Sequence, residues 1–323
     1  MKFVIMGAGG VGGYFGARLA DAGEDVSFVA RGRHLEAIKS RGLKIKSELG
    51  NTTIDPALAS DIPEDLGMAD LILFCVKAYD TESAALAIKP LVGPKTGIIP
   101  FLNGIEHIQI LRKILGEENV LGGVANISAL ITSPGVIEHF GTIQTLRVGE
   151  LDNRSSDRLA QFRTACKRAK IDAPIPEDIE TELWQKFVMI CTLAGVNCLT
   201  RLPLGECRIN PYSRKLMLSL ANEVIAVARA HNINLPEEQI ELTMKLLDNL
   251  PIDMKASMLA ALERGDKLEA AALNGAVDRL GQTKGIVTPA NRIVYEALSP
   301  HENGSCPDKI KKENLLCSLH DPT

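Results

Sequence analysis

The chain has 323 residues, of which 46% are hydrophobic and 24% charged, and a formal net charge of −4. This length favours two globular domains of about 100–200 residues each. A negative net charge argues against nucleic acid as a partner and favours a small-molecule substrate. The apolar start, residues 3–6, is too short for a signal peptide or a membrane span, so we expect a cytoplasmic protein. Seven cysteines without a CxxC pair predict reduced thiols and no metal site.

The first half of the chain alternates short apolar runs with helical patterns. The predicted strands are KFVIM, DVSFVA, DLILFCV and GIIPFL, and a helix is predicted over 11–22. Strands that alternate with helices indicate a parallel sheet with helices on both faces. We therefore predict an α/β domain over residues 1–173.

Beyond residue 173 long helical patterns replace the β-rich runs, which predicts an all-α domain over 174–300. ETELWQKFVMICTLAGVNCL is expected to form one long helix. Asn210-Pro211 and the segment 235–238 have the residues of helix starts, and three more helices are predicted at 254–264, 267–281 and 289–298. Residues 301–323 show no sustained period and are predicted to form a flexible tail.

A glycine-rich segment directly follows the first predicted strand and precedes the first predicted helix. Its members are Gly7, Ala8, Gly9, Gly10, Val11 and Gly12, and they fit GxGxxG. In this context the glycines allow a tight turn, a close approach of backbone to a pyrophosphate and helix–strand packing. The pattern predicts a Rossmann-type dinucleotide-binding domain.

Three polar residues follow predicted strands, where open α/β sheets gather their ligands. Arg31 stands at the end of the second strand, where NAD enzymes usually carry an acidic residue, so a 2′-phosphate and hence NADPH is favoured. Lys77 suits a phosphate contact, although an exposed loop lysine is an equal alternative. Asn103 suits a ribose or substrate oxygen, although Asn-Gly also forms ordinary turns.

Three residues in the helical half are weaker candidates. Lys186 lies among large apolar residues, and it is either a proton donor to a substrate carbonyl or a lysine that extends its ammonium to solvent. Ser257 and Glu269 lie in helix-forming stretches and are, on composition alone, ordinary helical residues.

Over residues 1–298 the sequence resembles the ketopantoate reductase family. The resemblance rests on GAGGVG, Arg31, FCVKA, the Asn-Gly at 103, ELWQK, SML and LEAAALNG, in this order and spacing. It implies reduction of ketopantoate to D-pantoate for pantothenate synthesis, with residues of both domains forming the site. The implied NADPH ligands are Gly7 to Gly12, Arg31, Lys77, Asn103, Ala129 and Glu269. The implied proton donor is Lys186, and the implied substrate contacts are Asn103, Lys186 and Ser257.

The helix of Lys186 departs from the family pattern. The family usually carries asparagines four and eight residues after the lysine, where this chain has Ile190 and Ala194. Spacing of four keeps these positions on the face of Lys186, and Asn197 lies about 16 Å along the axis, too far to substitute. Ketopantoate reduction is the leading hypothesis, and Ile190 and Ala194 favour one alternative, a D-2-hydroxyacid dehydrogenase for a branched or aromatic 2-oxo acid. A third hypothesis is a non-catalytic NADP(H)-binding regulator, against which the retained Lys186 argues. A homodimer is a further hypothesis.

Overall fold

A computed structural model describes residues 1–304 as two compact units, Met1–Lys186 and Phe187 onward. The division falls later than the predicted boundary at 173/174. The reason is local packing, because Ile179 and Leu183, at the start of the long helix, form a buried cluster with Ile108 and Val124 of the first unit. The change of sequence texture and the change of packing therefore occur at different positions.

The described residues form nine strands in two sheets. The strands are β1 (Lys2–Met6), β2 (Asp25–Val29), β3 (Leu43–Ser47), β4 (Thr52–Ile54), β5 (Leu58–Ser60), β6 (Leu71–Phe74), β7 (Gly97–Pro100), β8 (Gly122–Ser133) and β9 (Val136–Gly149). The first sheet is parallel with the order β5-β2-β1-β6-β7. It confirms the predicted parallel sheet, and its apolar strands are buried on both faces, as such sheets require.

The second sheet was not predicted from the sequence. It has the order β4-β3-β9-β8, and the long antiparallel pair β8–β9 is its main part. The ladder is irregular between Ile127 and Ala129. A bulge of this kind bends the strand and re-aims its backbone groups. The consequence is that β8 carries backbone carbonyls to two different parts of the first unit.

The described residues form twelve α-helices. They are α1 (Gly10–Asp21), α2 (Gly32–Arg41), α3 (Thr81–Ile88), α4 (His107–Leu115), α5 (Asp157–Arg168), α6 (Ile179–Thr200), α7 (Leu204–Ile209), α8 (Pro211–Ala230), α9 (Gln239–Asn249), α10 (Ser257–Arg264), α11 (Asn274–Thr283) and α12 (Pro289–Leu298). Helices α7–α12 belong to the second unit, which has no strand among its described residues. The Rossmann-type domain followed by a helical domain is thus confirmed.

Three helix predictions in the second unit need correction, whereas Asn210 caps α8 as predicted by accepting from the N–H groups of Tyr212 and Ser213. The helix predicted over 254–264 begins only at Ser257. The helix expected from 235–238 begins only at Gln239. The helix predicted over 267–281 is interrupted before Asn274, where α11 begins. The interruption has a tertiary cause, because the Asn274 carboxamide donates to the carbonyl of Cys191 and to Asn291 Oδ1, at 3.2 and 2.8 Å.

Helix α6 has the length and the hydropathy, 1.2, that a membrane span requires, but 67% of its most apolar window is buried within the protein. That burial is typical of a core helix. The first residues of the predicted tail belong to the second unit, since the Glu302 carbonyl accepts from the Leu268 N–H at 3.0 Å. Residues 305–323 lie outside the described part of the chain.

The first unit contains a buried ion pair whose removal should be costly. Glu150 is 3% exposed and accepts from Arg158 Nε at 2.7 Å and from Ser156 Oγ at 2.6 Å. Burial raises the pKa of Glu150, but these hydrogen bonds lower it by more, so that it lies below its ordinary value. The pair therefore contributes stability above the unfolded pKa of a glutamate, and this contribution is lost as the pH falls through the lower folded value.

We predict that Arg158→Met lowers the free energy of unfolding at pH 7 by about 3 kcal/mol or more, because it leaves a buried carboxylate without its cation. Chemical denaturation measures the loss, which should shrink below about pH 4.5 as the carboxylate is protonated. Arg154→Met is the control, since Arg154 pairs with Glu118 at 2.9 Å on the exposed surface and should change little. Equal losses in both variants would contradict the prediction.

Candidate active site

The predicted glycine turn joins β1 to α1. Gly7 has a φ of +98°, and an added β-carbon would lie 2.9 Å from the Cys75 carbonyl oxygen, so no other residue fits there. The N–H groups of Gly7 and Ala8 donate to the Val29 carbonyl at 3.2 and 3.1 Å. Helix α1 begins at Gly10, and no side chain caps its start. Its first N–H groups therefore suit an anion.

Strand β8 packs directly on this turn. A β-carbon on Gly10 would overlap the carbonyl oxygen of Ala129, whereas Gly9 faces open space. The structure thus brings together Ala129 and the glycine turn, two elements that the resemblance assigned to one cofactor site. The glycine at position 10 is required by a neighbouring strand, and the open side at Gly9 leaves room for a pyrophosphate.

His34 was missed by sequence reasoning, although it supports the turn. Its Nδ1 accepts from the N–H of Gly135 at 3.0 Å, so its Nε2 carries the proton and donates to the Ala8 carbonyl at 2.9 Å. Burial lowers the pKa of His34. A neutral imidazole therefore fixes the carbonyl of the turn, and the signal for it, a histidine three residues after Arg31, is too common to interpret alone.

Arg31 lies at the end of β2 as predicted, but it has a partner that was not anticipated. Its guanidinium donates to Asp80 Oδ2 at 2.9 Å. Asp80 lies three residues after Lys77, in the segment that follows β6. Because β1 lies between β2 and β6 in the sheet, this ion pair joins the two loops on either side of the glycine turn. Lys77 is exposed in the same segment.

Lys186 contacts the other end of β8. Its ammonium donates to the Ala125 carbonyl at 2.9 Å, and the first turns of α6 pack against Val124. Ala125 and Ala129 are four residues apart on one strand, which corresponds to roughly 13 Å at the rise of a β-strand. One strand therefore contacts both the glycine turn and the predicted proton donor.

Asn103 and His107 belong to the segment from β7 to α4. Asn103 is half-buried beyond the end of β7, and His107 is the first residue of α4. His107 is 4% exposed, and its Nε2 has no hydrogen-bond partner among the described residues. Burial, and to a lesser degree the charge of Lys186, lower the pKa of His107 to about 3. Sequence reasoning missed this histidine, which is neutral at physiological pH.

In the second unit the predicted residues differ in exposure. Glu269 is 6% exposed and precedes a short 3-10 turn, so it is not a solvated helical glutamate. Ser257 is exposed as the first residue of α10. Asn197 is fully buried, donates to the Leu202 carbonyl at 2.9 Å and accepts from the Ala256 N–H at 2.9 Å. Asn197 is thus a structural residue that holds the segment before Ser257.

The expectation that Ile190 and Ala194 both line the face of Lys186 needs correction. Ile190 is half-buried, but Ala194 has no accessible surface. At about 100° per residue, position 194 is turned about 80° from Lys186 around the helix axis, whereas position 190 is turned only about 40°. Of the two positions, Ile190 is the one that has surface to contact a substrate.

Two family models cover most of the chain. "Ketopantoate reductase PanE/ApbA" matches residues 3–153, and "Ketopantoate reductase PanE/ApbA C terminal" matches residues 178–302. The chain belongs to the ketopantoate reductase family. A 2-dehydropantoate 2-reductase of Archaeoglobus fulgidus is 33% identical over 303 residues, covering 93% of this chain and 97% of the relative. The uncharacterized oxidoreductase YkpB of Bacillus subtilis is 31% identical over 94% of this chain and 99% of the relative.

Among solved structures, a PanE/ApbA family ketopantoate reductase of Ralstonia eutropha JMP134 has a TM-score of 0.86 at 31% identity. The alignment covers 94% of this chain and 98% of that one. As a ketopantoate reductase family member, the chain is an NADP-dependent oxidoreductase that acts on 2-oxo acids. The glycine turn, the uncapped start of α1 and the cationic Arg31 fit the phosphates of NADPH.

We predict that His107 makes the protein less stable in mild acid. Its folded pKa lies below the ordinary value of 6.5, so unfolding takes up a proton and stability falls as the pH drops below about 6.5 towards 3. Between pH 7.5 and 5.5 the wild type should lose roughly 1 kcal/mol more than His107→Asn. Urea denaturation at both pH values measures this difference. Parallel losses in the two proteins would exclude the effect.

Proposed function

We propose that this ketopantoate reductase family member reduces 2-dehydropantoate to D-pantoate with NADPH in the cytoplasm, for pantothenate biosynthesis. The observation that carries the proposal is strand β8, which packs on the glycine turn at Ala129 and accepts the Lys186 ammonium at Ala125. Gly7 to Gly12 would hold the pyrophosphate of the dinucleotide, and Lys186, which is hydrogen-bonded to the same strand, would serve as the proton donor.

When bound, NADPH would supply the hydride that reduces the carbonyl carbon of the 2-oxo acid. Lys186 gives a proton to the carbonyl oxygen, and its positive charge stabilises the negative charge that develops on that oxygen. The Ala125 carbonyl accepts a hydrogen bond from the ammonium and so fixes the position of the Lys186 side chain. His107 stays neutral and adds no second positive charge beside Lys186.

The remaining polar residues are assigned to binding. Gly7 to Gly12, Arg31 and Lys77 contact the phosphates of NADPH, and Ala129 and Glu269 complete the cofactor site. Asn103 binds the nicotinamide ribose and the substrate, and Ser257 binds the substrate carboxylate. These assignments extend to the residues of this chain the roles that family resemblance implies.

A second candidate is reduction of a more apolar 2-oxo acid, and Ile190 favours it. Ile190 is half-buried and cannot form a hydrogen bond with the hydroxyl of 2-dehydropantoate. A site that does bind a substrate hydroxyl discriminates by about 10⁴–10⁵, whereas one methylene in an apolar pocket contributes about 1–3 kcal/mol. Branched or aromatic 2-oxo acids are therefore alternative substrates.

Substitution of Lys186 tests the chemistry. We expect Lys186→Ala to bind NADPH like the wild type but to lose at least about a hundredfold in kcat, the lower limit for a positioned general acid. Lys113→Ala removes an exposed lysine of α4 and should leave kcat unchanged. A near-normal kcat for Lys186→Ala would exclude Lys186 as the proton donor.

A panel of 2-oxo acids tests the substrate. We expect turnover with 2-dehydropantoate, and a preference for it below about a thousandfold over 2-oxoisovalerate, which lacks its hydroxymethyl group. Ile190→Asn should raise this ratio of kcat/KM. If the wild type already shows a larger preference, another side chain binds the hydroxyl. NADPH oxidation with none of the acids would overturn the reductase proposal.

A further inference from the structure

Asp80 is the N-terminal capping residue of α3, yet its side chain forms no capping hydrogen bond. Aspartate is among the preferred residues at this position because its carboxylate accepts from the first N–H groups of the helix, which typically contributes about 1 kcal/mol. Here the carboxylate instead accepts from Arg31 Nη2 at 2.9 Å. The Asp80 side chain therefore forms an ion pair with the loop that follows β2 and does not cap its own helix.

The position of this carboxylate has a functional meaning. Enzymes that use NAD carry an acidic residue after the second strand, where it accepts from the ribose 2′-hydroxyl. That position holds Arg31 in this chain. Asp80 brings an acidic group to the same guanidinium from the opposite side of β1, because its segment follows β6. A cation for a 2′-phosphate and an anion for a 2′-hydroxyl thus lie side by side.

We propose that Asp80 is a specificity-determining residue that limits the preference for NADPH over NADH and allows this enzyme to bind both. The proposal rests on the proposed role of Arg31 in cofactor binding. A phosphate monoester carries a charge of about −1.5 to −2 at neutral pH, and when it contacts Arg31 it comes close to the Asp80 carboxylate. The phosphate and the carboxylate are both negatively charged and therefore repel each other.

The same carboxylate favours the unphosphorylated cofactor. A ribose 2′-hydroxyl is a hydrogen-bond donor, and an ionised carboxylate is a strong acceptor. The guanidinium has five N–H donors, of which one contacts Asp80 in this structure, so Arg31 retains donors for a phosphate while the ion pair persists. Either cofactor can then bind while the ion pair persists, but the Asp80 carboxylate repels the 2′-phosphate of NADPH and attracts the 2′-hydroxyl of NADH.

Asp80→Asn tests the proposal directly. Asparagine is also a good capping residue, so α3 should form normally. We expect the dissociation constant of NADPH to fall about tenfold and that of NADH to stay constant or rise, so that selectivity for NADPH increases at least about fivefold. The same comparison with 2′,5′-ADP and AMP isolates the adenosine end from the reacting end. Isothermal titration at one low ionic strength measures all four ligands.

Glu82→Gln is the matched control. Glu82 lies two residues further on, in the first turn of α3, and its substitution removes the same charge. We expect it to leave the selectivity for NADPH unchanged, since Asp80 is the residue that accepts the hydrogen bond from Arg31. If Glu82→Gln raises the selectivity for NADPH as much as Asp80→Asn does, the effect is a general one of net charge and the proposal is wrong.

The outcomes separate this inference from the function on which it rests. If the selectivity of Asp80→Asn for NADPH over NADH is unchanged or lower, the inference is overturned. Weaker NADPH binding would show that Asp80 merely orients Arg31. Arg31→Ala should abolish the preference for NADPH and for 2′,5′-ADP. If it does not, the assignment of Arg31 to the 2′-phosphate fails. If neither cofactor binds the wild type, the reductase function itself fails.

Discussion

The close contact between Gly10 and the Ala129 carbonyl is the constraint on which the first unit depends. It brings the backbone of β8 against the turn that follows β1. The two backbones are so close that a side chain at position 10 would overlap the Ala129 carbonyl. Because the same strand accepts the Lys186 ammonium at Ala125, a displacement of β8 moves the acceptor of Lys186 as well. The geometry of the glycine turn and the position of the lysine are therefore mechanically linked through one strand.

Burial determines the electrostatics around this strand. His34 and His107 both lie in the first unit, and burial lowers the pKa of each. Near neutral pH both imidazoles are uncharged. His34 donates to the backbone of the glycine turn, while His107 leaves the charge of Lys186 unopposed by a second cation beside it. The positive charge beside this strand therefore comes from lysine and arginine side chains.

Local patterns in the sequence predicted the elements that local interactions determine. Strand β1, the glycine turn and α1 follow one another within about twenty residues, and the cap of α8 uses a side chain and N–H groups two and three residues apart. The hairpin β8–β9 was missed although its two strands pair locally around Pro134 and Gly135, and the pairing of β9 with β3 joins segments too far apart in the chain for any local pattern to show. The break before α11 was missed because an alanine-rich segment favours helix, whereas a tertiary hydrogen bond of Asn274 opposes it.

The same distinction applies to the site. Gly7 to Gly12, Arg31 and Lys77 could be predicted as site residues because motif and strand position are properties of the sequence. Asp80 was missed because its partner lies 49 residues away, and an aspartate before a helix is ordinarily read as a cap. Ala194 was placed on the face of Lys186 by the i+4 rule, which accumulates an angular error over two steps. Roles of Ser257 and Glu269 came from family resemblance and not from any local pattern.

The hydrogen bonds of His34 have a consequence for attempts to exchange the cofactor of this enzyme by protein engineering. Replacement of the loop after β2 as a cassette would exchange both Arg31 and His34. Its removal would delete the guanidinium and, with it, the bridge from Gly135 to the Ala8 carbonyl. A grafted loop would therefore alter the pyrophosphate turn along with the ribose pocket, and a successful graft must retain the histidine.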